Sequence, residues 1–240
     1  MSLDKKELKY LLGELKEVFI TKSEFDTIKK VIDTPPEYIQ PEVVLNINPS
    51  IVYASEKTTI TITPTFNQND AGNLSRIVIE KDGDVIYDNI EIKPIKDTVD
   101  GTNTIFSLTV FYDEGIVKES LLGIPDNINN IKSGSKMVSK QIKSYHPTYY
   151  GVCDELDITK MKKILNTTKY CNIKDINITN GKFIYAYPKE FGELTSIKDA
   201  NNFDYINSYT KSIQLINNVE YLVYILTDPV TIVGFKQIFS

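Results

Sequence analysis

Asn180-Gly181-Lys182-Phe183-Ile184-Tyr185-Ala186-Tyr187-Pro188 is the stretch on which the fold turns. Asn-Gly accepts positive φ and marks a tight turn. The five residues that follow Lys182 are apolar at every position, not at every second one. A strand of that kind is buried on both faces and belongs in the middle of a sheet. Pro188, which cannot donate to a ladder, ends it. Working outward, residues 171–178 read as the partner strand of a hairpin closed by Asn180-Gly181, and Tyr149-Tyr150-Gly151-Val152 as an earlier strand. Between them, Met161, Ile164 and Leu165 give residues 158–165 a weak helical period. Downstream, residues 209–215, 219–226 and 230–239 read as three more strands, joined by turns at Asn217-Asn218 and Asp228-Pro229. Residues 145–240 are therefore expected to form an α+β module: an antiparallel sheet with one helix.

Upstream the period is also two. Ile60, Ile62 and Phe66 alternate with Thr59, Thr61, Thr63 and Thr65, and Phe106, Leu108, Val110 and Tyr112 repeat the spacing. Lys81-Asp82-Gly83-Asp84 is a second hairpin signal. Asp113-Glu114-Gly115 is expected to turn the chain toward a short strand at Ile116-Val117, and residues 137–142 to close the set after an irregular stretch. Short strands about ten residues apart point to an Ig-like antiparallel β-sandwich over residues 42–144.

Ahead of it, Pro35, Pro36 and Pro41 make residues 34–41 a stiff connector. Residues 1–33 read as N-terminal helices. Leu8, Leu11, Leu15 and Val18 form an apolar stripe over residues 4–19. Thr21 with Glu24 is a capping box, followed by Phe25, Ile28 and Ile32 on one face. Helices this short are marginal alone, so the stripe must pack on something else. The chain's own downstream domain is one option; docking on a particle or on other copies of the chain is the expected one. The spacing permits a trimer without specifying it. The whole is expected to be mostly β.

Composition narrows the function. With 27 basic and 32 acidic residues and a net charge of -5, the chain lacks the basic surface that phosphate contacts require, so nucleic acid is not an expected partner. No run approaches the roughly 20 apolar residues of a membrane span. Cys153 and Cys171 read as two thiols, since a zinc site needs four ligands and His146 is the single histidine. Asp154, Glu155 and Asp157 sit where they would favour a helix start, and they lack the spaced ligands of a calcium loop. No metal, cofactor or catalytic residue is therefore assigned.

The C-terminal stretch resembles a module at the end of bacteriophage virion proteins. The resemblance rests on Tyr149-Tyr150-Gly151-Val152, on Phe183-Ile184-Tyr185-Ala186-Tyr187-Pro188, on Phe191-Gly192-Glu193-Leu194-Thr195-Ser196-Ile197, and on Val219-Glu220-Tyr221-Leu222-Val223-Tyr224. In such proteins an Ig-like sandwich often stands immediately before the module. The resemblance spans residues 42–240. It implies a non-enzymatic tail, baseplate or head-fibre component of the virion, with other virion proteins as partners and a homotrimer by analogy with fibres. It brings no catalytic residues.

Two rival functions remain open on the residues. A carbohydrate-binding module for a host-surface glycan would use exposed aromatic rings, and Tyr187, Phe191, Phe203 and Tyr205 surround the least regular part of the module. A polysaccharide-degrading enzyme would need two carboxylates facing one another across a cleft. Because residues 183–187 read as core, partner contact is expected on the loop 191–208, at Phe191, Phe203 and Tyr205.

Overall fold

The computed structural model describes residues 21–240, together with Glu7, Tyr10 and Glu14, which are helical and exposed. Leu8, Leu11, Leu15 and Val18 lie outside the described residues. Helix α1 (Lys22–Asp33) begins at the expected capping box. The Thr21 N–H donates to Glu24 Oε2 at 2.8 Å, and the Glu24 N–H donates back to Thr21 Oγ1 at 3.3 Å. The Thr21 N–H, and after it the Thr21 hydroxyl, which also donates to Glu24 Oε2 at 2.8 Å, hold the Glu24 carboxyl below its ordinary pKa. The helix stops at Thr34, which Pro35 forces into extended backbone. None of its residues is buried; Phe25, Ile28 and Ile32 are half-covered.

The proline segment is extended but tied down. Asp70 accepts from the Ile39 N–H at 2.6 Å and pairs with Lys118, also at 2.6 Å, and both lower its pKa, the Ile39 N–H most. The Tyr38 hydroxyl accepts from the Lys118 N–H at 2.7 Å.

Eight strands follow: β1 (Glu42–Asn48), β2 (Ile51–Tyr53), β3 (Thr58–Asn67), β4 (Leu74–Lys81), β5 (Asp84–Asn89), β6 (Ile95–Val99), β7 (Thr104–Tyr112) and β8 (Gly134–Tyr145). They form a three-stranded sheet ordered β1-β3-β6 and a five-stranded sheet ordered β2-β8-β7-β4-β5. The alternation predicts the burial. Ile60 and Ile62 on β3 and Phe106, Leu108 and Val110 on β7 are fully buried, while the threonines of β3 point outward. Asp82-Gly83 closes the β4–β5 hairpin with φ of 51° and 96°. Ile116 and Val117 do not form a strand: both lie exposed in an irregular segment, and the backbone turns elsewhere when the Gly115 N–H donates to the Ile131 carbonyl at 2.8 Å.

The remainder is β9 (Thr148–Val152), β10 (Lys162–Ile164), β11 (Cys171–Gly181), β12 (Phe183–Pro188), β13 (Ile197–Asp199), β14 (Tyr209–Ile216), β15 (Val219–Leu226) and β16 (Val230–Phe239), with 3-10 turns at Lys189–Phe191 and Ile206–Ser208. The sheets are ordered β10-β9-β12-β15-β14 and β11-β16-β13. Strand β12 is central and buried along its whole length. Two expectations are corrected. Residues 158–165 hold no helix; Lys162–Ile164 pair antiparallel with Thr148–Tyr150 as an edge strand, so residues 145–240 are all β and not α+β. Asn180-Gly181 closes no hairpin: β11 pairs with β16, β12 pairs with β9 and β15, and the chain changes sheets between them. Asn180 still takes a positive φ of 44°.

By packing, the described chain divides into two compact units. One comprises residues up to 48, 61–96 and 104–141, and the other residues 49–60, 97–103 and 142–240. In the second, the odd positions of β12 meet the three-stranded sheet. Phe183 lies 4.7 Å from the Phe235 ring and Tyr185 lies 4.4 Å from Phe239, both on β16, while Tyr187 stacks on Tyr224 of the neighbouring strand β15 at 6.1 Å. The even positions Ile184 and Ala186 face a smaller cluster with Tyr149, Met161, Tyr221 and Val223. No helix among the described residues is long and apolar enough to cross a membrane.

Candidate functional site

The tyrosines of the second unit explain themselves before any ligand is invoked. A buried phenol needs a hydrogen-bond partner, and Tyr185, Tyr187, Tyr221 and Tyr224 each find one on a loop backbone. The Tyr185 hydroxyl donates to the Lys169 carbonyl and that of Tyr187 to the Gly192 carbonyl, both at 2.8 Å. The Tyr221 hydroxyl donates to the Pro147 carbonyl at 2.9 Å, and that of Tyr224 accepts from the Leu194 N–H at 3.1 Å. Burial pushes the phenol pKa values of Tyr185, Tyr187, Tyr209 and Tyr221 far up. Tyr187 is fully buried and is not a surface platform.

The loop beyond it is shaped by two aspartates. Asp199, at the end of β13, accepts from the Asn201 and Phe203 N–H groups at 2.9 Å each. Asp204 accepts from the Ile197 N–H at 3.1 Å and the Ile206 N–H at 3.0 Å. These donors, Ile206 first, hold the Asp204 carboxyl below its ordinary range. Asn202, with φ of 68°, supplies the reversal. The Tyr205 N–H closes the loop on the Ile197 carbonyl at 2.7 Å. The result is an ordered turn carrying Tyr205 beside β16.

Between this turn, the end of β15 and strand β16 lies a cleft of about 650 Å³. That is within the usual range of small-molecule sites, about 300–1,000 Å³. Asp199, Tyr205, Asn207, Thr227, Asp228 and Gln237 bring polar atoms to it, while Leu226 and Phe235 supply apolar surface. Gln237 is only 7% exposed, and its Oε1 accepts from the Tyr209 hydroxyl at 2.5 Å.

Of the three expected contact residues, Tyr205 lines this cleft and is 38% exposed. Phe203 is 65% exposed on the same turn, outside the cleft lining. Phe191 instead packs against the core, its ring 6.3 Å from that of Tyr145. Residue reading missed Thr227, Asp228 and Gln237, which arrive from the other end of the module. A signal for Gln237 was present: it interrupts the inward-facing series Phe235, Gln237, Phe239.

The remaining candidates lie outside the cleft lining. Cys153 and Cys171 are free thiols, their pKa values raised chiefly by burial. His146 lines a shallow recess with Pro188, Lys189, Glu190, Asn218 and Glu220. Asp157 binds the Thr159 hydroxyl at 2.6 Å and pairs with Lys160 at 3.0 Å, so the acidic run shapes a turn. Among the described residues no group of three or more His, Cys, Asp or Glu could hold a metal ion. Compared with known protein families, curated proteins and solved structures, the chain shows no significant match.

Proposed function

We propose that the chain is a non-enzymatic structural protein of a bacteriophage particle, a tail, baseplate or head-fibre component, which docks through residues 1–33 and projects its β units outward. The observation that carries the docking part is α1: a capped helix with an apolar face at Phe25, Ile28 and Ile32 and no buried residue. A helix of a dozen residues draws most of its stability from packing, so that face calls for a partner surface. Other virion proteins or further copies of the chain, in a trimer, would supply it.

The phage assignment rests on the strand motifs of residues 149–152, 183–188, 191–197 and 219–224. The Ig-like reading of residues 42–144 draws support from strand order, with β1-β3-β6 in one sheet and β2-β8-β7-β4-β5 in the other. The parallel pairing of β2 with β8 fits a first strand split between the two sheets. On this reading the protein resides in the virion.

Deleting residues 1–33 tests the proposal. Light scattering should show the oligomer reduced to a monomer with its β units still folded, and the truncated chain should be lost from particles. An unchanged mass together with continued incorporation would refute it.

A further inference from the structure

We propose that the cleft bounded by β13, β15 and β16 binds a neutral saccharide. This adds a ligand to the outward-facing part of the reading above, and assembly through residues 1–33 stands or falls without it.

The inference starts from Gln237. Its side chain is more than nine-tenths buried, lines the cleft, and spends its Oε1 on the Tyr209 hydroxyl. Its Nε2 makes no hydrogen bond of its own to the described residues and is not among the buried side-chain atoms left without a partner, so this donor keeps access to solvent through the cleft that Gln237 lines. An acceptor from a ligand would satisfy it. Opposite in character are the carboxylates of Asp199 and Asp228, which can only accept. Asp199 Oδ1 is engaged by two backbone N–H groups, while Oδ2 has only the Tyr205 hydroxyl, at 3.5 Å.

Ligand classes separate on this donor and acceptor pattern. An ammonium or guanidinium group could face the carboxylates but offers nothing to Gln237 Nε2. A phosphate or carboxylate could take the amide proton but would meet two aspartates. A hydroxyl group both donates and accepts, so a polyhydroxylated ligand serves both ends of the cleft. Asn207, Ser208 and Thr227 add neutral groups of the same versatility. The ring of Tyr205 and the side chain of Ile232, both partly exposed in the lining, give apolar surface for the C–H face of a pyranose. Two carboxylates against the single Lys236 favour a neutral sugar over a sialylated or phosphorylated one.

The test uses the full chain on an array of neutral hexose and N-acetylhexosamine oligosaccharides, with sialylated glycans and lysine-rich peptides alongside. Isothermal titration then follows with the best-bound oligosaccharide. Three variants locate the site. Tyr205→Ala and Asn207→Ala change exposed positions, and Gln237→Glu keeps the acceptor for Tyr209 while removing the donor. Each should weaken saccharide binding about tenfold, the loss of one good contact, and Phe203→Ala, outside the cleft lining, should not. If Gln237→Glu does not fold, the two exposed variants decide.

No neutral saccharide bound at millimolar concentration, preferential binding of the peptides or acidic glycans, or affinity unchanged in Tyr205→Ala and Asn207→Ala would each overturn the proposal. Particle incorporation of Tyr205→Ala should be normal, which separates this outcome from failure of the docking helices.

Discussion

Replacing Tyr187 distinguishes a core strand from a ligand platform. Tyr187→Phe keeps a ring that is fully buried and stacked on Tyr224, and deletes only the hydroxyl that donates to the Gly192 carbonyl at 2.8 Å. A neutral hydrogen bond contributes about 0.5–1.5 kcal/mol net, with a further penalty when a buried partner is orphaned. The Gly192 carbonyl sits on a partly solvated turn, which keeps that penalty small, so the expected loss is about 1–2 kcal/mol. Tyr224→Phe should cost more, because it strands the Leu194 N–H in a buried setting. Tyr187→Ala removes the ring as well and should cost about 3–5 kcal/mol, as for other large aromatic truncations. For a domain of this size about 1 kcal/mol moves Tm by 2–4 °C, so Tyr187→Phe should lower it by roughly 2–8 °C. With two compact units the melt has to be assigned, and hydrogen exchange of peptides covering 183–188 reports the right one. The reasoning fails if Tyr187→Phe is neutral and Tyr187→Ala costs under about 1 kcal/mol. It fails equally if Tyr187→Ala abolishes saccharide binding at unchanged stability.

Several other outcomes follow from the same contacts. The buried phenols have folded pKa values raised above the unfolded value of about 10, so their stabilisation is complete below that pH and is lost as pH rises beyond it. Absorbance should show these tyrosines ionising only as the second unit unfolds in alkali; early, reversible ionisation of all 15 would contradict their burial. Asp204 works in the opposite sense: its folded pKa is depressed, so its contribution is present above about pH 4 and disappears as pH falls through the lower folded value. Exchange protection of residues 197–206 should drop in that window and should lose its pH dependence in Asp204→Asn. Gly83→Ala should cost about 1 kcal/mol, from its φ of 96° alone, since nothing lies within 4 Å of an added Cβ. Gly115→Ala should be far worse, because its Cβ would fall 1.9 Å from the Asp70 carbonyl oxygen; equal costs would mean that backbone conformation, not space, governs both sites.

What could be read from residues alone was local. Alternation placed Ile60, Ile62, Phe106 and Leu108 in the core, and Asp82-Gly83 and Asn217-Asn218 closed their hairpins, because period and turn chemistry act within a few residues. The continuous apolar run of 183–187 likewise placed β12 at the centre of its sheet. Asn180-Gly181 misled for the same reason. Asn180 takes the positive φ that its type favours, but turn chemistry cannot say which sheet the next strand joins, and β11 found its partner in β16, some fifty residues on. Residues 158–165 misled differently: three or four apolar positions fit a helix period or an edge strand equally well. The pairing of Lys162–Ile164 with β9 settled the choice, with Met161 packed against Gly151.

The cleft is a case of the same limit. Its first wall, Asp199 to Ser208, falls within the loop expected to make contact, since aspartate-capped turns and aromatic exposure are local properties. Its second wall comes from residues 226–237, brought alongside by the antiparallel register that sets Asp199 opposite Gln237. Only that register turns Gln237 from an anomaly between two core phenylalanines into a donor facing an opening. A polar residue on an otherwise apolar inward stripe is thus the sequence mark of the second wall, and its partner should be sought across the sheet before it is sought along the chain.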